Sequence, residues 1–174
     1  MEKRFNLIKK EYDNFDKNLL RRGQLPMWDT GVGFYSSAVL TEVFKLFKKV
    51  GLQNYRHFLD LGSGDGRVVL AASLFTRSTG VEIDPRLVVA SQHMKQRLRL
   101  KANFIQKNFY DYHIGKHDIV FVNPDQPMQR GMENKLLDEL KGHLIVYGPH
   151  FHPTLLRMKR RFNINGTYVG VYRV

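Results

Sequence analysis

The sequence is most constrained by a regular alternation of short apolar runs and helical stretches that begins at Tyr55. Helical stretches follow the first, second, fourth and fifth of these runs. Such alternation is typical of α/β proteins, in which helices cover a parallel sheet. The pattern therefore predicts an α/β fold with a doubly wound, mostly parallel seven-stranded sheet. The predicted strands lie near 56–61, 79–83, 102–106, 118–122, 142–147, 161–164 and 167–173.

Local signals place some of the element ends. Asp84 followed by Pro85 is typical of a helix start, because an aspartate can accept from free N–H groups and proline fits the first turn. The stretch "NING" at 163–166 separates the last two apolar runs and predicts a hairpin, which makes the final strand antiparallel. The helix after Asp84 would face the sheet through four apolar residues at helical spacing, namely Leu87, Ala90, Met94 and Leu98.

Residues 1–32 are predicted to form a helical extension and a loop in front of a core at 33–174, within a single domain. Apolar residues of the first segment recur at alternating spacings of three and four, as one stripe of a helix does. This helix would end with Arg21, Arg22 and a C′ Gly23. The stripe consists of Phe5, Ile8, Tyr12, Phe15 and Leu19.

A second helix is expected to start after Ser36 or Ser37 and to end at Gly51. The stretch before it, "QLPMWDTGVGFYSS", is interpreted as a loop. Its glycines and large aromatic side chains make it a candidate ligand-binding segment, although Trp28 could equally pack on the core.

Composition narrows the functional classes. The chain lacks cysteine, which excludes disulfides, thiolate metal sites and cysteine nucleophiles. No apolar run approaches the roughly 20 residues of a membrane helix, and the first residues lack the apolar core of a secretory signal, so we expect a cytoplasmic protein. The formal net charge of +12 would attract polyanions such as RNA, or would simply keep the protein soluble.

The stretch "FLDLGSGDGR", from Phe58 to Arg67, places a glycine turn directly after the first predicted strand. In an open parallel sheet, ligands bind beyond the carboxyl ends of the strands, and the first such turn must come close to them. A dinucleotide fingerprint needs its third glycine where this chain has Arg67, and no GK[ST] for a triphosphate is present. The acidic residues Asp60 and Asp65 instead suit a ligand with cationic groups, such as a sulfonium and an α-amino group.

The second strand ends in "TGVEIDP", which places Glu82 where a carboxylate can accept the hydroxyls of a ribose, and Ile83 beside a base. Together, "DLGSGDGR" and "GVEIDP" resemble motifs one and two of the class I methyltransferases, which have a Rossmann-like seven-stranded fold and use S-adenosylmethionine. The resemblance covers roughly residues 33 to 174.

The resemblance implies S-adenosylmethionine as cofactor. It implies that Asp60 and Gly62 lie near the methionine part, that Glu82 holds the ribose, and that Asn108 and Phe109 of "NFYDY" line the adenine. The remaining residues that we expect at the cofactor are Tyr35, Ser63, Gly64, Gly66, Ile83 and Asn123.

The fourth strand ends in "DIVFVNPDQPMQ", where amino-group methyltransferases of this class present a polar residue and a proline beside the transferring methyl. Asn123 and Pro124 are therefore the candidate catalytic residues, and Asn123 and the backbone carbonyls near Pro124 would hold an amine by its N–H groups. Enzymes that methylate adenine or glutamine amides typically read Asn/Asp-Pro-Pro-aromatic here, whereas this chain has Asp125 and Gln126. Asn123 and Pro124 could also merely end a strand.

A narrower resemblance is to the small single-domain protein-lysine methyltransferases, which share "DLGSGDGR", and it extends to "VVLAAS" and the helix "LLDELK". Their upstream loop carries Pro-Thr or Pro-Ser, whereas this chain has "FYSS", which includes Tyr35. The resemblance implies a protein lysine as substrate. The alternatives are RNA methylation through the basic surface and a non-catalytic module that binds S-adenosylmethionine or RNA.

Other features do not point to a separate activity. His150 and His152 lack an accompanying carboxylate pattern, so we expect no metal site. Two basic sets are placed on predicted helix faces, where they are solvated surface or a footprint for a polyanion. They are the run "RMKRR" at 157–161 and the group Lys95, Arg97, Arg99 and Lys101.

Overall fold

The structure, a computed structural model, describes residues 1–31, 33–129 and 131–174. Five α-helices occur in these ranges, namely α1 (Glu2–Arg21), α2 (Leu40–Val50), α3 (Arg67–Ala72), α4 (Pro85–Leu98) and α5 (Met132–Glu139). The strands are β1 (Met27–Asp29), β2 (Phe34–Ser36), β3 (His57–Leu61), β4 (Arg77–Glu82), β5 (Asn103–Gln106), β6 (Ile119–Val122), β7 (His143–Tyr147), β8 (Arg157–Ile164) and β9 (Thr167–Arg173).

Seven strands form one sheet in the order β5-β4-β3-β6-β7-β9-β8. The first five of these strands pair in parallel, whereas β9 runs antiparallel to both β7 and β8. This arrangement confirms the predicted α/β class, the seven strands and the antiparallel final strand. From β3 the chain builds the sheet first towards one edge through β4 and β5, and then towards the other edge from β6. Sheets of this kind bind ligands in the crevice beyond the carboxyl ends of the two neighbours at this switch, here β3 and β6.

Helices cover the two faces of the sheet, and a separate apolar core lies on each face. One core joins α1, α2 and α3 through Ile8, Phe47 and Val69, and the other joins α5 to the sheet through Leu136. The predicted stripe of the first helix is confirmed in its first half, where Phe5, Ile8 and Tyr12 are buried. Within the described ranges, no helix is long and apolar enough to span a membrane.

Two predictions about the segment before the core need correction. The second helix begins at Leu40, several residues after Ser37, with Val39 as an N-cap that makes no side-chain hydrogen bond. The predicted loop contains the short antiparallel pair β1–β2, in which Trp28 faces Tyr35. Three-residue strands carry too little pattern for detection from sequence, because their pairing depends on the partner strand.

The prediction of a helix after the fifth apolar run is wrong. Residues 157–161 belong to β8, which pairs with β9 from Arg157↔Arg173 to Ile164↔Thr167. The "NING" hairpin brings this segment beside β9, so cross-strand hydrogen bonds outweigh its local preference. The basic side chains suit this position, since β8 is an edge strand and charge protects such an edge from pairing with other chains. The other basic group is only partly helical, because α4 ends at Leu98.

Candidate functional site

An open cleft with an empty volume of about 1080 Å³, its mouth included, lies beyond the carboxyl ends of β3, β4 and β6. Ligand sites typically occupy roughly 300–1000 Å³. Residues from the glycine turn, the end of β4, the loop after β6 and the β1–β2 hairpin contribute to its walls. The sheet topology thus brings together segments that lie more than 90 positions apart in the sequence.

Ten of the predicted site residues line this cleft, and two do not. Those on the wall are Tyr35, Asp60, Gly62, Ser63, Gly64, Glu82, Ile83, Phe109, Asn123 and Pro124. Gly66 caps α3 at a φ of +81°, and a β-carbon there would meet Ser91 of α4 at 2.6 Å. Asn108 caps the short 3-10 turn after it by accepting from the Tyr110 N–H at 3.0 Å. Both residues shape the backbone beside the cleft.

The glycine turn is tightly packed against the hairpin. Gly64 has a φ of +54°, and a β-carbon there would lie 2.7 Å from Cε2 of Tyr35. Tyr35 is buried and packs against Trp28 with ring centroids 4.5 Å apart. Burial, followed by the charge of Asp65, raises the pKa of the Tyr35 hydroxyl well above its ordinary value. Tyr35 is therefore a neutral wall of the cleft.

Asp60, on β3, is a deeply buried acidic residue of the cleft, with only 3 % of its surface exposed. Burial raises its pKa well above 3.8, and the nearby charges of Glu82 and Asp65 raise it further. No described residue donates a hydrogen bond to its carboxylate. A buried carboxyl without a partner favours a ligand that brings a positive charge or N–H donors.

The Glu82 carboxylate closes the turn from the end of β4. Its Oε2 accepts from the Gly64 N–H at 2.8 Å, and its Oε1 accepts from the N–H groups of Ile83 and Asp84 at 2.8 and 2.9 Å. A carboxylate has about four acceptor positions. One position of Oε2 therefore remains for a hydroxyl group of a ligand.

The other acidic residue of the glycine turn has a different role from the one predicted. Asp65 forms an ion pair with Arg67. The Arg67 Nη2 donates to Asp65 at 2.7 Å and to Asp16 of α1 at 2.8 Å. Tyr12 donates to the Asp65 carbonyl at 2.9 Å, and its ring lies under the guanidinium. Burial alone would lower the pKa of Arg67, but the two carboxylates raise it. Asp65 is thus neutralised within the protein, and α1 is fixed to the turn.

The loop after β6 forms the outer wall of the cleft. Asn123 is solvent-exposed and Pro124 is half-buried. Asp125, two residues further, accepts from the Phe34 N–H at 2.6 Å through Oδ2 and so joins this loop to the β1–β2 hairpin. Exposed aromatic rings of Phe34 and Tyr110 also belong to the cleft.

Sequence reasoning assigned no site role to Phe34, Tyr110, Arg67 or Asp16. Tyr110 directly follows Phe109, a predicted site residue, and this adjacency could have indicated that Tyr110 also lies at the site. The ion pair between Arg67 and Asp16 joins positions 51 residues apart, and nothing in the local pattern indicates it.

The charge of the cleft is opposite to that of the whole chain. Among the described residues that line it, the charged ones are four acids, Asp60, Asp65, Glu82 and Asp125, and one cation, Arg67. Because Arg67 neutralises Asp65, three carboxylates remain without a cationic partner in the described ranges. A protein with a net charge of +12 thus carries an acidic cleft, which favours cationic ligands.

Of the two histidines in "GPHFHP", His152 has a structural role. Its two ring nitrogens lie 2.7 Å from the Tyr172 hydroxyl and 2.8 Å from the Gly148 carbonyl oxygen. In the part of the chain that the structure describes, no group of three or more potential ligand residues could hold a metal ion.

Comparison with known families shows a match over half of the chain. The family model described as the ANTKMT methyltransferase domain matches residues 60–152, which contain the glycine turn, Glu82 and the loop after β6. The comparison with curated proteins gave no sequence match.

Solved structures share the fold at low identity. An RNA methyltransferase from Salinibacter ruber, in complex with S-adenosyl-L-homocysteine, is 21 % identical with a TM-score of 0.68, covering 79 % of this chain and 92 % of its own. A putative methyltransferase from Escherichia coli is 21 % identical with a TM-score of 0.61, covering 79 % and 87 %. A tRNA (uracil-54, C5)-methyltransferase from Pyrococcus abyssi is 14 % identical with a TM-score of 0.64, covering 80 % and 40 %.

Proposed function

The chain belongs to the ANTKMT methyltransferase domain family and is a class I S-adenosylmethionine-dependent methyltransferase, and we propose that it methylates the amine of a protein lysine. The observation that carries the choice of acceptor is the acidic cleft. Once Asp60 and Glu82 are assigned to the cofactor, Asp125 is the acid of the cleft that remains without a cationic partner among the described residues. A lysine ammonium is attracted to this carboxylate, whereas a phosphodiester chain is repelled by it.

The residues of the cleft fit the cofactor. Asp60 has a buried carboxyl without a hydrogen-bond donor, which suits the α-ammonium or sulfonium charge. The backbone at Gly62 is open, since a β-carbon there would meet nothing within 4 Å. The buried Ser63 hydroxyl has no partner among the described residues. We assign the methionine side of the cofactor to these residues, with Tyr35, Gly64 and Asn123 as neighbouring walls.

The opposite part of the cleft would hold the nucleoside. We assign one ribose hydroxyl to the free acceptor position of Glu82 Oε2. Ile83 and Phe109 supply apolar surface for the adenine. Asn108 and Gly66 contribute indirectly, because they hold the backbone on which these side chains sit.

The cofactor assignment has its own test. Calorimetry of the Glu82→Gln variant should show S-adenosylmethionine binding weakened by about 1.5–3 kcal/mol, the usual loss for hydrogen bonds to a charged group. Asp138→Gln, on the exposed surface of α5 and outside the cleft, is the control. Equal affinity in Glu82→Gln and the wild type would remove the ribose role of Glu82.

When bound, the cofactor would supply a methyl group on a sulfonium sulfur. The amine lone pair would attack the methyl carbon in line, and the electrons of the C–S bond would return to sulfur. Asn123 would orient this amine by accepting one of its N–H groups, and Pro124 would shape the wall beside it. Among the described cleft residues there is no histidine, and Glu82 is engaged with three backbone N–H groups. Solvent would therefore take the proton that a lysine ammonium must lose before attack.

The substrate class is tested by incubating the protein with labelled S-adenosylmethionine and a host lysate, divided into protease-treated and nuclease-treated halves. Lysine methylation predicts label that survives nuclease and is lost with protease, followed by methyl-lysine in the hydrolysate. Label that only nuclease removes would identify RNA and exclude the lysine proposal. A complete lack of turnover would indicate a non-catalytic cofactor-binding module.

RNA is the second candidate, and one observation favours it. The exposed residues Arg157, Lys159 and Arg161 lie along the edge strand β8, outside the acidic cleft. If RNA docks there, log affinity should fall linearly with log salt, and reversing these three charges should flatten the slope. The absence of RNA binding at low salt would leave this charge as a solubility feature.

We also propose that residues 1–174 act as one methyltransferase domain, with 1–32 as its helical extension. The support is the contact between α1 and the glycine turn, made by Tyr12 with Asp65 and by Asp16 with Arg67. Limited proteolysis should therefore leave α1 attached to the core.

A further inference from the structure

We propose that the Asp125 carboxylate is the residue that selects a cationic acceptor at the mouth of the cleft, an inference that rests on the proposed lysine methylation. Asp125 directly follows Pro124 and lies two residues after Asn123. This position puts a carboxylate next to both candidate catalytic residues.

The geometry fixes this carboxylate between two walls of the cleft. Its Oδ2 accepts from the Phe34 N–H at 2.6 Å, and a β-carbon on Gly33 would come within 2.9 Å of the same oxygen. Its Oδ1 receives no hydrogen bond from a described residue. Asp125 is exposed and has no ion-pair partner in the described ranges. One oxygen is therefore held by the hairpin, and the other is available to a ligand.

Two aromatic rings on the cleft wall accompany the carboxylate. Phe34 is 53 % exposed and Tyr110 is 38 % exposed, so both rings are accessible to a ligand in the cleft. Tyr110 and Asp125 line the same cleft. Burial, followed by the charge of Asp125, raises the pKa of the Tyr110 hydroxyl. Rings of this kind can cover the four methylenes of a lysine and attract its ammonium.

The carboxylate would act at two stages. It attracts the ammonium to a cleft whose deeper charges, Asp60 and Glu82, belong to the cofactor region. During methyl transfer the neutral nitrogen gains positive charge, and a fixed carboxylate stabilises that charge more than it stabilises the neutral amine. A hydroxyl or a ring carbon is uncharged and would not be attracted at the first stage, so Asp125 favours amines.

The first test measures turnover on poly-L-lysine with the wild type, Asp125→Asn and Asp138→Asn. Asparagine keeps an oxygen that can accept from the Phe34 N–H but removes the charge. Asp138 lies exposed on α5 outside the cleft, so its variant controls for net charge. We expect Asp125→Asn to lower kcat/KM for poly-L-lysine at least tenfold with the KM for S-adenosylmethionine within twofold, and Asp138→Asn to match the wild type.

The second test measures binding without turnover. NMR of the protein saturated with S-adenosyl-L-homocysteine should show shifts of the Phe34 and Tyr110 ring signals on titration with n-butylammonium. We expect these shifts in the wild type and in Asp138→Asn, their loss in Asp125→Asn, and none with the neutral probe n-butanol.

The outcomes separate this inference from the proposed function. A wild type that methylates poly-L-lysine, with Asp125→Asn equally active and equally able to bind n-butylammonium, would overturn the role of Asp125 and leave lysine methylation standing. A wild type that is inert on poly-L-lysine but binds n-butylammonium only when Asp125 is present would support the cation site and count against lysine methylation. Failure to bind n-butylammonium in every form would overturn the cation site.

Discussion

The ring of Tyr35 lies against the α-carbon of Gly64, so closely that a β-carbon at position 64 would fall 2.7 Å from Cε2 of the ring. This contact joins the β1–β2 hairpin to the glycine turn. It also explains why the turn needs a glycine at this point, because the backbone is left-handed there, with a φ of +54°, and has no room for a side chain.

Gly64→Ala should therefore destabilise the protein in two ways. Left-handed backbone costs alanine about 1–2 kcal/mol, and the clash with Tyr35 should add about 1–3 kcal/mol. Gly23→Ala is the matched control, since its φ is +72° and a β-carbon there would meet nothing within 4 Å. Urea unfolding should show a clearly larger loss for Gly64→Ala. Equal losses in the two variants would mean that the Tyr35 ring moves away from the new β-carbon without loss of stability.

A second prediction concerns the anchoring of α1. Asp16→Asn removes a charge partner of Arg67, whose side chain is only 7 % exposed, and should lower the free energy of unfolding by about 1.5–3 kcal/mol. Asp13→Asn, on the same helix, removes the partner of Lys9, and both of those side chains are over 40 % exposed. Exposed pairs contribute about 0–1 kcal/mol. If both variants unfold at the same urea concentration, the buried network does not stabilise the fold.

The third prediction concerns turnover. Asn123→Ala should reduce kcat more than tenfold while cofactor affinity stays within a few-fold, since orienting the amine matters chiefly in the transition state. Steady-state kinetics and calorimetry on the same preparations measure the two quantities. Equal losses in both would make Asn123 a cofactor residue, and a fully active variant would remove it from the site.

The fourth prediction is a pH dependence of stability. Burial, followed by the charges of His57 and Lys116, lowers the pKa of His117 to about 4 from an ordinary value of 6.5. The native state thus favours neutral His117, so its contribution is fully present above pH 6.5 and is lost as the pH falls towards 4. The loss should be about 1–3 kcal/mol.

Urea unfolding at pH 7 and pH 4 tests this dependence, with His117→Gln as the comparison. Glutamine does not titrate, so the variant should lose less stability over that interval than the wild type. The same loss in both proteins would assign the pH dependence to other groups.

Much of the fold could be predicted from the sequence. The seven strands of the main sheet, the glycine turn and the positions of Asp60 and Glu82 follow from short, contiguous patterns. Parallel strands place their carboxyl ends at one edge, so the two carboxylates had to meet there. Ten of the expected site residues accordingly line the cleft.

Long-range pairing decided the rest. The basic segment at 157–161 forms a strand because it pairs with β9, and these cross-strand hydrogen bonds outweigh the local preference for a helix. The sequence indicated a cationic ligand at both Asp60 and Asp65, but folding brought Arg67 and Asp16 to Asp65 and left Asp60 without a partner. Likewise, 91 positions separate Phe34 from Asp125, whose hydrogen bond joins two walls of the cleft. Local sequence determines backbone preferences, whereas the charge that a ligand meets depends on which distant side chains neutralise one another.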